Sequence, residues 1–314
     1  MIPREILIKI RQIELRTNRI VPGTFFCLLL FLSSCATRDS VQAGRPANLK
    51  MNQHAGRGDL LYVMLRLEDG EDLPFVVDTG SPTTFFDTSL KPKLGKCLGS
   101  MPAWNFGTKR EAEIYVSPKL YLGNTPLMMT GSNILTCDFQ KESSVSGSDF
   151  PTMGILGMDV LEHYCVQLDF KAREVRFLDP GDLSVIGLGK PMQLDIPVDD
   201  SRAYIKFPSL LGGESNKLLV DTGFQMDGAS NHERYDLIVQ EQKLKIVSGC
   251  ALFPHCDWNG VAYTNLIILK GEGLIGLRFL ARHLVTFDFP HRTMYLAQRS
   301  IGPLDNNLEM HFAP

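Results

Sequence analysis

Two short segments of this 314-residue chain carry the same acidic turn. Leu73-Pro-Phe-Val-Val-Asp78-Thr79-Gly80-Ser81 recurs 143 residues later as Asn216-Lys-Leu-Leu-Val-Asp221-Thr222-Gly223-Phe224. Two carboxyl groups held about 3 Å apart cannot both ionise and share one proton. The ionised member can take a proton from water while the protonated one polarises a carbonyl. That is acid–base hydrolysis without a metal or a covalent intermediate. Asp78 and Asp221 are the candidates, and such a pair titrates as a unit. Gly80 and Gly223 let the two turns approach closely, because glycine has no Cβ.

One Asp-Thr-Gly is a weak signal, and the elements that must hold it make it a strong one. Gly154-Ile-Leu-Gly157-Met-Asp-Val-Leu161 recurs as Gly273-Leu-Ile-Gly276-Leu-Arg-Phe-Leu280. The match continues without a gap from Val166–Phe170 onto Val285–Phe289 and from Val175–Phe177 onto Met294–Leu296, at a constant offset of 119. Phe75–Val77 and Leu218–Val220 are continuous apolar runs, as strands buried on both faces should be. Leu61–Leu67 and Ala203–Phe207 read as the strands before them, each followed by a glycine turn. Cys165–Phe170 with Val175–Leu178, and Leu284–Phe289 with Thr293–Leu296, read as hairpins. Met158–His163 and Leu277–Arg282 read as short helical turns. The expected fold class is all-β, with two similar lobes at 57–187 and 188–302, a cleft between them, and a tail at 303–314.

These motifs resemble those of the aspartic peptidases. Two lobes in one chain resemble the pepsin-like enzymes, and the compact lobes with their Gly-Ile-Leu-Gly segments resemble bacterial retropepsin-like proteases. The resemblance implies an endopeptidase in which Asp78 and Asp221 activate water, acting on an extended peptide or protein substrate as a monomer without cofactor. It implies that Thr79 and Thr222 each bond across to the opposite lobe, and that Leu156-Gly157 and Ile275-Gly276 pack behind the turns. It implies that the Ser81 hydroxyl bonds the neighbouring carboxylate. Phe224 departs from the pattern at the matching position, where it cannot donate that bond, and this leaves Asp221 the more readily protonated member, narrows the site or disables it. A substrate-covering flap is expected within Gly99–Ile114, with Trp104, Phe106 and Gly107 as candidates, and Val247–Tyr263 takes the same place in the second lobe. A non-catalytic peptide- or envelope-binding lipoprotein on the same fold is the alternative.

The remaining sequence bounds the setting. A 44% hydrophobic, 21% charged chain is globular, and its net charge of −3 offers no basic surface for nucleic acid. Residues 1–34 combine basic residues, the apolar run Thr24–Leu32 and small residues before Cys35, which reads as a secretory signal. The run is too short for the ~20 residues of a spanning helix. Leu32-Ser-Ser-Cys35 resembles a bacterial lipobox, so Cys35 is the expected lipidation site and 35–56 a polar tether. By resemblance to Gram-negative lipoproteins, Ala36 after the cysteine implies an exported, lipid-anchored protein of the outer membrane, facing the periplasm of a Gram-negative bacterium. Removing 1–34 takes away five basic and two acidic residues and leaves a net charge of −6.

Of the remaining cysteines, Cys250 and Cys256 are close enough in sequence to close a short loop by a disulfide, and Cys97 with Cys137 is a second pairing. Free thiols are the equal alternative, and Cys165 reads as a buried thiol. His255-Cys256-Asp257 lacks metal-ligand spacing, so no metal is expected. Asp169 and Asp288, each before a basic residue (Arg173, Arg292), read as turn residues. Asp159 faces Arg278 in the repeat and is no part of a symmetric acid pair.

Overall fold

The computed structural model describes residues 48–105, 108–139, 151–178, 183 and 187–304. The signal segment, Cys35, tether residues 36–47, Phe106, Gly107 and the end of the tail lie outside the described residues. The first lobe contains β1 (Leu49–Lys50), β2 (Tyr62–Arg66), β3 (Asp72–Val77), β4 (Phe85–Asp87), β5 (Cys97–Asn105), β6 (Thr108–Val116), β7 (Tyr121–Leu122), β8 (Thr125–Pro126), β9 (Asn133–Cys137), β10 (Gly154–Leu156), α1 (Met158–Leu161), β11 (Cys165–Asp169) and β12 (Glu174–Leu178). The second contains β13 (Lys190–Asp195), β14 (Tyr204–Ser209), β15 (Gly212–Asp221), β16 (Gly228–Ser230), α2 (His232–Gln242), β17 (Ile246–Val247), β18 (Cys250–Trp258), β19 (Val261–Lys270), β20 (Leu274–Gly276), α3 (Leu277–Leu280), β21 (His283–Asp288) and β22 (Thr293–Gln298).

Each lobe threads its Gly-containing strand through its own acidic turn. β10 runs parallel to β3 and antiparallel to β4, so it lies between the two strands that the Asp78 turn connects. β20 does the same between β15 and β16. Because β3 is flanked by β2 and β10 and covered on both faces, Leu73–Val77 is apolar at every position and buried throughout. Phe75 and Phe86 meet edge to face behind the turn, with ring centroids 5.0 Å apart. Each fully buried side chain of this kind contributes about 1.5–3 kcal/mol. The apolar cluster around them continues through both lobes to Phe253 and Phe279.

The lobes share a sheet. β11 and β21, the equivalent strands of the two copies, pair antiparallel with Gln167 opposite Thr286. These two residues are themselves related by the 119-residue offset, so the pseudo-twofold axis passes between them. Their buried side chains meet there, Gln167 Nε2 donating to Thr286 Oγ1 at 2.9 Å. The outer strands repeat as well, with β1 on β12 and β13 on β22. Residues 48–56, read from sequence as tether, therefore belong to the fold. Leu49 pairs with Val175, and Met51 and Ala55 are buried. The stretch reads as polar only because its few apolar residues are spaced for a two-residue strand and a packed turn.

Both sequence-predicted hairpins form, and Asp169 and Asp288 serve their turns by accepting N–H groups. Arg173 and Arg292 adopt left-handed backbone (φ 56° and 51°) and so make the turns themselves. Asp169 accepts the Ala172 N–H at 2.9 Å, and Asp288 accepts from His291 Nδ1 at 2.9 Å. Cys250 and Cys256 form no disulfide. They stand on one extended strand, where six residues span roughly 20 Å, and both are thiols. Cys97 is likewise a thiol, so the Cys97–Cys137 pairing is not made either.

Candidate active site

The two acidic turns meet at the lobe interface through a reciprocal set of bonds. Thr79 Oγ1 donates to the Val220 carbonyl at 2.6 Å and accepts the Thr222 N–H at 3.1 Å. Thr222 Oγ1 donates to the Val77 carbonyl at 2.7 Å and accepts the Thr79 N–H at 3.0 Å. Every donor and acceptor in this square is buried backbone or hydroxyl, and each would cost about 1–3 kcal/mol if left unpaired. The arrangement needs a β-hydroxyl at both positions and fixes the following glycines face to face. A Cβ on Gly80 would lie 2.5 Å from Asp221 Cγ, and one on Gly223 would lie 2.5 Å from Asp78 Cγ.

Within each turn the glycine N–H caps its own aspartate. Gly80 N–H donates to Asp78 Oδ1 at 2.8 Å and Gly223 N–H to Asp221 Oδ1 at 2.9 Å. The two carboxyls are within hydrogen-bonding reach of each other. Both residues are half-buried by surface area, and the protein packed around the carboxyls still governs their titration. Burial raises Asp78 above the ordinary carboxylate range, against the pull of N–H groups from Gly80, Ser81 and Gly223. Asp221 is raised well above that range, by burial first and by the charge of Asp78 second. A pair pushed up in this way holds one proton over a wide span of pH, the state that a water-activating pair requires.

The strands behind the turns hold them in matching fashion. The Met158 N–H donates to the Ser81 carbonyl at 2.9 Å, and the Leu277 N–H to the Phe224 carbonyl at 2.7 Å. The backbone of Phe224 thus does what that of Ser81 does. The side chains differ. The Ser81 hydroxyl donates to the Thr83 carbonyl at 2.8 Å, not to an aspartate of the pair as the resemblance implied. The Phe224 ring edge packs back against Gly276, where a Cβ would meet Cδ1 at 2.7 Å.

Deeper supports were missed from sequence. In the first lobe Asp159 accepts from the Thr84 N–H at 2.9 Å and from Thr84 Oγ1 at 2.6 Å. Burial raises Asp159 to about 6. In the second lobe the equivalents are Asp227 and Arg278, so the acid has moved from helix to loop. Asp227 pairs with Arg278, binds Arg282 Nη2 at 2.7 Å and accepts the Ile267 N–H at 2.8 Å, all three side chains being fully buried. The exchange of Thr84/Asp159 for Asp227/Arg278 at the two repeat offsets was the available signal.

The flap segment Gly99–Ile114 lies in a hairpin of nine-residue strands, β5 and β6, with Asn105 opposite Thr108 at its tip. Near its tip, where Ala103 pairs with Arg110, the hairpin packs through Ala103 on the cluster of Leu60, Tyr62, Val76 and Ile155. The second-lobe segment is also a hairpin, β18–β19, but it is pinned down. Trp258 is buried against Phe207 and Phe279, and its Nε1 donates to the Pro208 carbonyl at 3.0 Å. The Cys256 thiol donates to Leu210, and burial pushes it up to about 12. The first-lobe hairpin is therefore the one with exposed strands. Among the described residues, no group of three or more His, Cys, Asp or Glu is placed to hold a metal ion.

Solved structures share this architecture. The aspartic proteinase from Irpex lacteus is 14% identical, with a TM-score of 0.53 over 81% of this chain and 98% of that one. The fold is that of the pepsin-like aspartic proteinases. Basic 7S globulin from soybean is equally similar, 14% identical with a TM-score of 0.52 over 85% of this chain and 96% of the globulin. No protein-family profile matches the chain, and no curated protein matches its sequence. The pepsin-like fold accounts for both lobes and for the shared sheet between them, and at this identity it carries the fold alone.

Proposed function

We propose that the protein is an aspartic endopeptidase that hydrolyses peptide bonds with a water held between Asp78 and Asp221. The observation that carries the reading is the Thr79–Thr222 square, which brings two enclosed carboxyls together. Such an arrangement costs stability unless the pair keeps a proton. In the reaction the ionised carboxylate takes a proton from the water as its oxygen bonds the carbonyl carbon. The protonated carboxyl gives its proton to the carbonyl oxygen. In the collapse of the hydrate the pair gives its proton to the amine nitrogen as the C–N bond breaks and takes one back from a hydrate hydroxyl, so that acid and amine leave and the pair again holds one proton. An extended substrate would pair its backbone with strand edges under the β5–β6 hairpin. By its N-terminal sequence we place the enzyme outside the cytoplasm, lipid-anchored through Cys35 in the outer membrane.

Phe224 favours a second reading, a peptide-binding lipoprotein without catalysis. A statine-type peptide, whose hydroxyl mimics the hydrate, separates the two. The protease reading expects it to raise the melting temperature of the parent and to lose at least tenfold in affinity against Asp221→Asn. Equal affinity for parent and variant would favour the binding protein.

A further inference from the structure

The two lobes set different side chains against their aspartates. In the second lobe Tyr204 pairs with Leu219, and the Val220 N–H donates to the Ala203 carbonyl at 2.9 Å. One further step in this register puts Arg202 directly opposite Asp221. In the first lobe Tyr62 pairs with Val76, and the Val77 N–H donates to the Leu61 carbonyl at 2.9 Å. The same step there puts Leu60 opposite Asp78. Leu60 is buried in an apolar cluster with Tyr62, Val76 and Phe85. A cation thus stands where the matching position carries a hydrocarbon. The pairing register, continued beyond Tyr204 and Leu219, sets Arg202 across from Asp221, and its charge favours the ionised Asp221 carboxyl, after burial, Asp78 and the Gly223 N–H in weight.

The cation is held in place. Asp200 accepts Arg202 Nε at 2.6 Å and Nη2 at 3.1 Å. Tyr204 Oη donates to the same carboxylate at 2.5 Å, and Arg202 Cζ lies 5.6 Å over the Tyr204 ring. Lys217 Nζ lies 4.1 Å from that ring's centroid and bonds Asp195 at 3.1 Å. The charged groups that act on Asp221 are Asp78 from the first lobe and Arg202 before β14, while Asp200 and Tyr204 surround Arg202, and Lys217 on β15 and Glu272 ahead of β20 act on Tyr204. Asp78 opposes the ionisation of Asp221, and Arg202 favours it.

We propose that Arg202 is a positioning residue that sets the ionisation range of the Asp78–Asp221 pair through Asp221, with Asp200 and Tyr204 holding it there. This rests on reading the two aspartates as a proton-sharing pair. Arg202 is the element that makes the pair asymmetric. It keeps the singly protonated form at lower pH than two enclosed carboxyls alone would allow.

Carbon-13 titration of aspartate carboxyls in the full chain tests this, with Asp78→Asn and Asp221→Asn to assign the pair. Arg202→Gln should move both steps of the pair up by about one pH unit, the low end for an adjacent charge that is partly solvated. Arg202→Lys, which keeps the charge, should leave them near the parent. Asp200→Asn removes the anion while the Tyr204 ring still underlies the guanidinium, and should move them down, an opposed direction that a merely structural role does not give. Steps that stay in place in both Arg202→Gln and Asp200→Asn would overturn the proposal. The titration does not depend on turnover. A chain that cleaves no peptide but shows these shifts keeps the proposal and loses the protease reading, and one that cleaves with unmoved steps does the reverse.

Discussion

At the scale of single residues, Phe224 is the sharpest test of how the second turn works. Its carbonyl anchors Leu277 as that of Ser81 anchors Met158, and its ring edge packs against Gly276. Phe224→Ser should therefore keep cleavage within about threefold of the parent. It should lose about 1–2 kcal/mol of stability, less than for a fully buried ring because Phe224 is half-buried. Steady-state kinetics beside a urea melt reads both quantities. A large rise in kcat/KM would mean that the ring blocks the site. Asp78, Thr79, Gly80 and their repeats were legible in the sequence because the chemistry allows few residue types there. The partner of the Ser81 hydroxyl was not, because a carbonyl two residues away and a carboxylate look alike until the turn has a shape. Asp227 and Arg282 were hidden for a related reason. A fully buried ion cluster is recognisable only once its members, 51 and 55 residues apart for Asp227 with Arg278 and Arg282, are seen to meet.

Among elements, the two turns and the strands behind them form one unit across the lobe boundary. Thr79→Val or Thr222→Val keeps the shape and removes a hydroxyl, leaving one buried carbonyl and one buried N–H without partners. Each should cost about 2–4 kcal/mol, and the double variant should cost clearly less than the sum because the same square is broken only once. A double-mutant cycle by denaturant unfolding measures this. Additive costs would show that the two hydroxyls act independently. The strands β2, β3, β11, β12, β21 and β22 were readable from apolar period and repetition. The helix α2 was not. Of its eleven residues only Tyr235 and Ile238 are buried, too few to show a helical stripe against its charged ends. Its start is set by Asn231, whose side chain accepts the Arg234 N–H at 3.0 Å. The cysteine pairing failed on the same level, since sequence proximity says nothing about whether the intervening chain turns or runs straight.

On the scale of the whole molecule, repeated lobes around one axis bring both acidic turns together within one chain, and explain why Gln167 and Thr286 meet where a duplicated strand pairs with its own copy. The shared sheet was not legible, because β1 is two residues long and the pairing of β11 with β21 leaves no local pattern. Buried titratable groups outside the pair give the fold a checkable pH dependence. Asp159, raised from 3.8 to about 6, stays protonated in the fold while the unfolded chain ionises. Its stabilising effect is complete below about pH 4 and is lost as pH rises to about 6, a difference of about 3 kcal/mol. His283, lowered by burial from 6.5 to about 4, has the opposite sign. It is neutral in the fold, bonded to Tyr263 at 2.8 Å, and its contribution is lost as pH falls from 6.5 towards 4. Between these limits the two nearly cancel. Asp159→Asn should therefore make stability fall on acidification across that window, and His283→Asn should make it rise; parallel slopes in both variants would contradict these assignments. The central claim is that two enclosed carboxyls, one from each lobe, form a single hydrolytic centre. The most direct measurement is cleavage of a peptide library from pH 3 to 8 by the parent, Asp78→Asn and Asp221→Asn, each shown folded by its melt. The account predicts a bell-shaped profile for the parent and loss of at least 1,000-fold in either variant, on the order of the barrier that acid–base catalysis removes. Cleavage that survives in either variant, or a folded parent that cleaves nothing at any pH, would contradict it.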